Sequence, residues 1–268
     1  MPVLNASTNP GKIRMIIGSH STVFPKQINA WFAWLAPGFS ASLAEGLLRG
    51  KQLMRNKDEV ISRLIDPGII AVVRAQSRAQ VLALSEALLA GGVHAIEITT
   101  STPEAIEAIG EASRALGERA LIGVGTVLDI ETCHAACEAG AEFVVSPVTK
   151  PELVAAAHEH DRPIMLGAYT PTEAQAAHEA GSDFVKLFPA DGLGPRFIRN
   201  LRAPLPHLRI VPTGGVTVEN AAEFLNAGSA ALGIGSALVS GEILANADWS
   251  ELTRRAEGFV SATKAARS

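Results

Sequence analysis

Lys186 stands in "DFVKLFPAD" between Val185 and Leu187, with Phe184 and Phe188 one step further out. Lysine is seldom fully buried unless it is paired or given a task, because leaving water disfavours the charged ammonium. On an alternating strand Val185 and Leu187 take one face, and Phe184, Lys186 and Phe188 take the other. Desolvation among phenylalanines favours the neutral amine, a nucleophile that condenses with ketones to give a Schiff base. A second run, "HAIEIT" (94–99), sends Ile96 and Ile98 to one side and Ala95, Glu97 and Thr99 to the other. That puts a carboxylate into the same kind of apolar interior, where it suits general acid or base work. The alternative is a buried ion pair that serves stability alone. Such a pair is a weak design, since desolvation cancels most of the Coulombic gain, whereas perturbed ionisable groups gather at functional sites.

Other polar residues follow similar runs. "PTGG" (Pro212 to Gly215) and "GIGS" (Gly233 to Ser236) carry glycines whose backbone N–H groups can approach an anion, with Thr213 and Ser236 as added donors. Plain turns also use such glycines. Arg74 in "VVRAQS" is either a solvated loop residue or the partner of a substrate carboxylate or phosphate. Thr126, "SPVT" (146–149) and "AYTPTE" (168–173) close three further runs. Lysine, carboxylate and phosphate site together imply a Schiff-base aldolase or decarboxylase acting on a phosphorylated keto compound. No H-E-x-x-H pattern or carboxylate cluster asks for a metal.

These side chains need a scaffold that gathers eight strand ends. Runs rich in β-formers occur at 69–73, 94–99, 120–125, 142–146, 163–167, 183–188, 208–212 and 230–235. Ala/Glu-rich stretches of helical character lie between them, and one strand plus one crossover helix fits each interval. The helical stretches end in a recurring Ala-Gly, as in "EAGAEFVVS" and "EAGSDFVKL", where glycine supplies the left-handed stop. This internal repeat predicts an α/β fold, a (β/α)8 TIM barrel with active-site residues at the C-terminal strand ends. The competing fold is a doubly wound open sheet. Its G-x-G-x-x-G fingerprint is absent after the first strand, and "GVGTVL" lacks the third glycine.

Composition closes other routes. The chain has 268 residues, 47% of them hydrophobic, and a formal charge of −4. No basic stripe with interleaved aromatics offers a nucleic-acid surface, and no run of about 18 apolar residues would span a membrane. Residues 1–53 differ from the rest. They hold Lys12, Arg14, Lys26, Arg49 and Lys51 against Glu45 alone, for a net +4 that leaves −8 elsewhere. They read as a poorly determined N-terminal extension: a start assigned upstream of Met54, a loosely attached segment, or a transit-like leader. The domain division expected is 1–53 extension and 54–268 barrel. Cys133 and Cys137 flank His134 at helical spacing and read as small core hydrophobes in a reducing compartment, with a metal site as the lesser reading.

The blocks "VVRAQS", "GGVHAIEIT", "GVGTV", "FVVSP", "TPTEA", "FVKLFPAD", "VPTGGV" and "GIGSALV" resemble, in order, the 2-keto-3-deoxy-6-phosphogluconate (KDPG) and 4-hydroxy-2-oxoglutarate (KHG) aldolase family. The resemblance runs from about Val60 to the C-terminus. It implies a cytoplasmic, homotrimeric class I aldolase that uses a covalent Schiff base and no separate cofactor. By resemblance Lys186 is the Schiff-base lysine and Glu97 the acid/base carboxylate. Thr126, Pro147 and Thr213 line the keto-acid pocket, and Gly214, Gly215, Gly235 and Ser236 form the phosphate cradle. Many members carry an arginine shortly after the glutamate, where this chain reads "EITTSTPEA", which leaves Arg74 as the anionic contact. The expected substrate is the 6-phosphogluconate derivative. The galactonate epimer, unphosphorylated 4-hydroxy-2-oxoglutarate, and a non-catalytic barrel that binds a phosphometabolite are the alternatives.

Overall fold

The computed structural model describes residues 55–267, so the extension lies outside the described residues. The first element, α1 (Lys57–Ile65), starts at a reciprocal cap in which Asn56 accepts from the Glu59 N–H and Glu59 accepts from the Asn56 N–H. Val60 and Leu64, four residues apart, form its buried face. Eight strands follow: β1 (Ile69–Val73), β2 (Ala95–Thr99), β3 (Leu121–Gly125), β4 (Phe143–Val145), β5 (Ile164–Ala168), β6 (Phe184–Leu187), β7 (Ile210–Pro212) and β8 (Leu232–Ile234). The crossover helices are α2 (Arg78–Ala90), α3 (Ala105–Leu116), α4 (Ile130–Ala139), α5 (Glu152–Glu159), α6 (Pro171–Glu179), α7 (Gly194–Arg202) and α8 (Ala221–Asn226). Two more, α9 (Gly241–Asn246) and α10 (Trp249–Arg267), complete the described chain.

All the strand pairs are parallel and run in sequence order. β8 pairs with β1 through Ile70↔Gly233, and the isolated bridge Thr213↔Gly233 joins it to β7. Sequential order with first-to-last pairing is the barrel, and it rules out the doubly wound sheet. Glycines in the predicted Ala-Gly stops, Gly140, Gly181 and Gly228, have φ of +118°, +94° and +99°, so each ends its helix in the left-handed region.

Alternation sorts the core into two layers. Ile70, Ala95, Leu121, Phe143, Met165, Phe184 and Val211, one from each of seven strands, pack inside with Val60 and Leu64 of α1. Ile96, Ile98, Val185 and Leu187 pack outside against the helices, as do Cys133 and Cys137 of α4. Helix α1 therefore plugs the N-terminal end of the barrel. Arg55 holds the plug with hydrogen bonds of 2.7 and 2.8 Å to both oxygens of Glu142, while Arg162 donates to the Arg55 carbonyl at 2.7 Å. Lys57 adds an ion pair of 3.2 Å to Asp183, which also bonds His158 at 2.9 Å. Burial pushes the Glu142 carboxyl above its ordinary range, against the hydrogen bonds and charge of Arg55. With the bottom sealed, the site is left to the opposite end. No helix among the described residues is long and apolar enough to cross a membrane.

Candidate active site

Strands β2 and β6 lie far apart in the sheet order, and closure brings their inward faces together. Lys186 Nζ lies 3.4 Å from Glu97 Oε1, and both residues are almost wholly buried, at 4% and 3% exposure. Glu97 has no other hydrogen-bond partner among the described residues. Its carboxylate is thus held by the amine alone, a pairing loose enough to reach a third reactant. Phe184 lies beneath the lysine in the inner layer. The ring of Phe188 sits with its centroid 5.5 Å from Nζ, just beyond the end of β6 and half-buried. An ammonium over that face gains from the ring quadrupole, and a neutral amine loses nothing by its apolar contact.

Glycines inside the strands make the room. A Cβ on Gly125 would overlap the Glu97 carboxylate, and one on Gly233 would overlap the Thr213 hydroxyl. A Cβ on Gly167, which pairs with Lys186 in the ladder, would overlap the Pro147 carbonyl. Glycine in a strand interior marks such close approaches. Pro147 is partly exposed at the end of β4, and its loop is tied down by the Thr149 hydroxyl, which donates to the Gly167 carbonyl at 2.7 Å. Thr213 is buried at 6% exposure, with no partner for its hydroxyl among the described residues. Thr126 follows β3 with φ of +63°, an unusual conformation for a β-branched residue, and is half-buried at the mouth. Arg74 continues the inward-facing series of Ile70 beyond the end of β1; it is exposed and makes no hydrogen bond or ion pair among the described residues.

The two glycine turns are neighbours through the Thr213↔Gly233 bridge. Gly214 and Gly215 have φ of +93° and +71°, and a Cβ on Gly215 would lie 2.6 Å from Asp191 Cα. Asn220 fixes the turn by donating to the Gly215 carbonyl at 2.8 Å and accepting from the Thr217 N–H at 2.8 Å. Gly235 faces open space and Ser236 is exposed. The N–H groups of Gly214, Gly215, Gly235 and Ser236 have no protein acceptor among the described residues. Successive free N–H donors of this kind are groups that an anion can accept from.

An amine, a carboxylate and a set of free N–H donors thus share one barrel end, a combination suited to chemistry on an anionic ketone. Across the sequence, the family model of KDPG and KHG aldolase matches residues 60–255. The chain belongs to that aldolase family. A 2-dehydro-3-deoxy-phosphogluconate aldolase of Treponema pallidum is 37% identical over 186 residues, covering 69% of this chain and 88% of its own length. A 2-dehydro-3-deoxy-6-phosphogalactonate aldolase of Escherichia coli is 36% identical over 171 residues, covering 63% and 83%. Among solved structures, a KDPG aldolase from Legionella pneumophila superposes with a TM-score of 0.67 at 31% identity, covering 72% of this chain and 93% of its own. That structure holds pyruvate captured as a covalent carbinolamine. The aldolase of the present chain is therefore a lyase on a TIM barrel.

Sequence reasoning missed the glycines that open space for Glu97 and Thr213. Their signal was available in "GVG" and "GIG", glycines inside otherwise apolar strands. It read Thr99 as an inward-facing residue and the rest of "TTST" (99–102) as a missing arginine, whereas the three threonines bond to both neighbouring loops.

Proposed function

We propose that this aldolase cleaves 2-dehydro-3-deoxy-6-phosphogluconate to pyruvate and glyceraldehyde 3-phosphate through a Schiff base on Lys186. The observation that carries the reading is the buried Lys186–Glu97 pair, 3.4 Å apart, beneath an open mouth rimmed by free N–H donors. Neutral Lys186 attacks the C2 ketone, and the carbinolamine loses water to give an iminium. Glu97 takes the proton of the C4 hydroxyl, directly or through a water, as the C3–C4 bond breaks. The bonding pair flows into the iminium and gives an enamine, while C4 leaves as the aldehyde. Protonation at C3 and hydrolysis return pyruvate and the free lysine. The iminium is the electron sink, so this class I route calls for no metal and no separate cofactor.

Thr126, Pro147, Thr213 and Arg74 take the keto-acid end in this reading, and Gly214, Gly215, Gly235 and Ser236 take the phosphate. The phosphogalactonate epimer is the second reading, supported by the phosphogalactonate aldolase that is 36% identical over 171 residues. A homotrimer is supported by the family resemblance and by Leu128, Ile130 and Val148, exposed large apolar residues on the loops and helix start after β3 and β4. A cytoplasmic location is the reading that accords with the family resemblance. A pyruvate-release assay coupled to lactate dehydrogenase tests the reading with both phosphorylated epimers and 4-hydroxy-2-oxoglutarate. The highest kcat/KM is expected for the gluconate derivative. A preference for either competitor would move the assignment to it, and no release from any would leave a phosphometabolite-binding barrel.

A further inference from the structure

The segment Thr99–Thr102 places four hydroxyl residues in a row directly after Glu97 and Ile98. On one side it holds the loop after β1. Thr99 Oγ1 donates to the Val73 carbonyl at 3.1 Å, and Thr102 Oγ1 accepts from the Ala75 N–H at 3.1 Å. Those two groups flank Arg74, so the backbone is fixed immediately before and after the exposed guanidinium. Thr99 spends its only proton on Val73, so Ser101 is the donor in the 2.8 Å contact between the two hydroxyls. Thr99 and Thr102 are both buried, and the Thr102 N–H closes the turn on the Thr99 carbonyl at 3.0 Å.

On the other side the segment holds the loop after β3. The Thr100 N–H donates to the Gly125 carbonyl at 2.9 Å, and Thr100 Oγ1 donates to the Thr126 carbonyl at 3.0 Å. Thr126 is the residue with φ of +63°. A β-branched residue keeps such a conformation only where its surroundings over-determine it, and strain of this kind concentrates at ligand clamps. Thr100 supplies that constraint from across the loop.

We infer that Thr99–Thr102 is a clasp that positions Arg74 and Thr126 together, and that Thr100 and Thr102 are positioning residues for the substrate's keto-acid end. This rests on the aldolase reading above. The clasp gives this chain a way to orient its anionic contact from the β1 loop, with short hydroxyls where an arginine would otherwise project. It acts on binding, since neither threonine touches the reacting bond in this scheme.

The test compares Thr100→Val and Thr102→Val with Thr100→Ser and Thr102→Ser, in the full chain. Valine keeps the shape and removes the hydroxyl. Each valine variant is expected to raise KM for the keto-acid roughly tenfold with kcat within about twofold of wild type, and each serine variant to restore KM. Adding Thr102→Val to an Arg74→Ala background is expected to raise KM by less than about twofold, because the two act in series. Equal KM for wild type and both valine variants overturns the clasp, as does an undiminished Thr102→Val effect without Arg74. Thr102→Val strips the acceptor from a buried N–H, so if it fails to fold, Thr100→Val decides alone. Wild-type trapping with pyruvate and borohydride separates the two levels. Trapping that saturates identically in wild type and valine variants sinks the clasp and spares the aldolase; no trapping in wild type sinks the aldolase reading.

Discussion

Replacing Gly125 by alanine is expected to separate bond cleavage from Schiff-base formation. The added methyl would overlap the Glu97 carboxylate oxygen and lie 2.6 Å from Cγ and Cδ of the same side chain. Ordinary carbon contacts are about 3.5–4.0 Å, so the glutamate must retreat by about 1 Å. It has little room to do so, since it is 3% exposed in a packed interior, and moving it stretches its 3.4 Å contact with Lys186. Overpacking of this kind costs roughly 1–3 kcal/mol of stability. The larger effect is kinetic, because a displacement of about 1 Å in a catalytic group costs on the order of 100-fold in rate. The three atoms nearest the new methyl all belong to Glu97 and none to Lys186, so condensation with pyruvate should persist. Coupled pyruvate release should therefore show kcat down about 100-fold, while borohydride still fixes pyruvate to the lysine. Cleavage within about threefold of wild type would refute the placement of Glu97 as the acid/base group. Loss of both steps in a folded variant would refute the separation of roles.

Four further outcomes follow from the scaffold. Arg55→Ala strands Glu142 in a buried site and should lower unfolding stability by about 3 kcal/mol, read by urea denaturation. Glu142 itself has a carboxyl raised by burial, so the folded chain binds its proton more tightly than the unfolded one. Its contribution is therefore most favourable at or below the ordinary 4.5 and falls as pH rises through the raised value; Glu142→Gln should flatten that fall in thermal melts from pH 4 to 8. Glu173 has the opposite sign, because the N–H groups of Tyr169 and Thr170 hold its carboxyl below 4.5. Its contribution is present above 4.5 and lost as pH falls through the lowered value, and Glu173→Gln should remove that acid limb. Thr170→Ala deletes the N-cap of α6 and should cost about 1 kcal/mol in the same melts.

The barrel was legible because its signals are local and repeated. Alternation in "HAIEIT" and "DFVKLF" sorted inward from outward residues correctly, and the strand ends differ by at most two residues from the expected runs. The Lys186–Glu97 pairing was legible for the same reason, once eight strands were counted and closed. Helix α1 was not anticipated as a plug, although "NKDE" carries its capping box, because a cap announces a helix and says nothing of where it docks. The glycines at 125, 167 and 233 were opaque for a different reason. Gly125 and Gly233 are explained by the side chains of Glu97 and Thr213 and Gly167 by the Pro147 backbone, tertiary contacts that no local window contains. The threonine clasp was hidden in the same way: its partners at Val73, Ala75 and Thr126 lie 26 or 27 residues away, at the ends of flanking strands.

Reduction with borohydride in the presence of pyruvate, followed by peptide mapping, tests the central claim most directly. A reduced pyruvate adduct on Lys186 in the wild type, and none in Lys186→Ala, is the expected result. An adduct on another lysine such as Lys150, or full cleavage activity in Lys186→Ala, would contradict it.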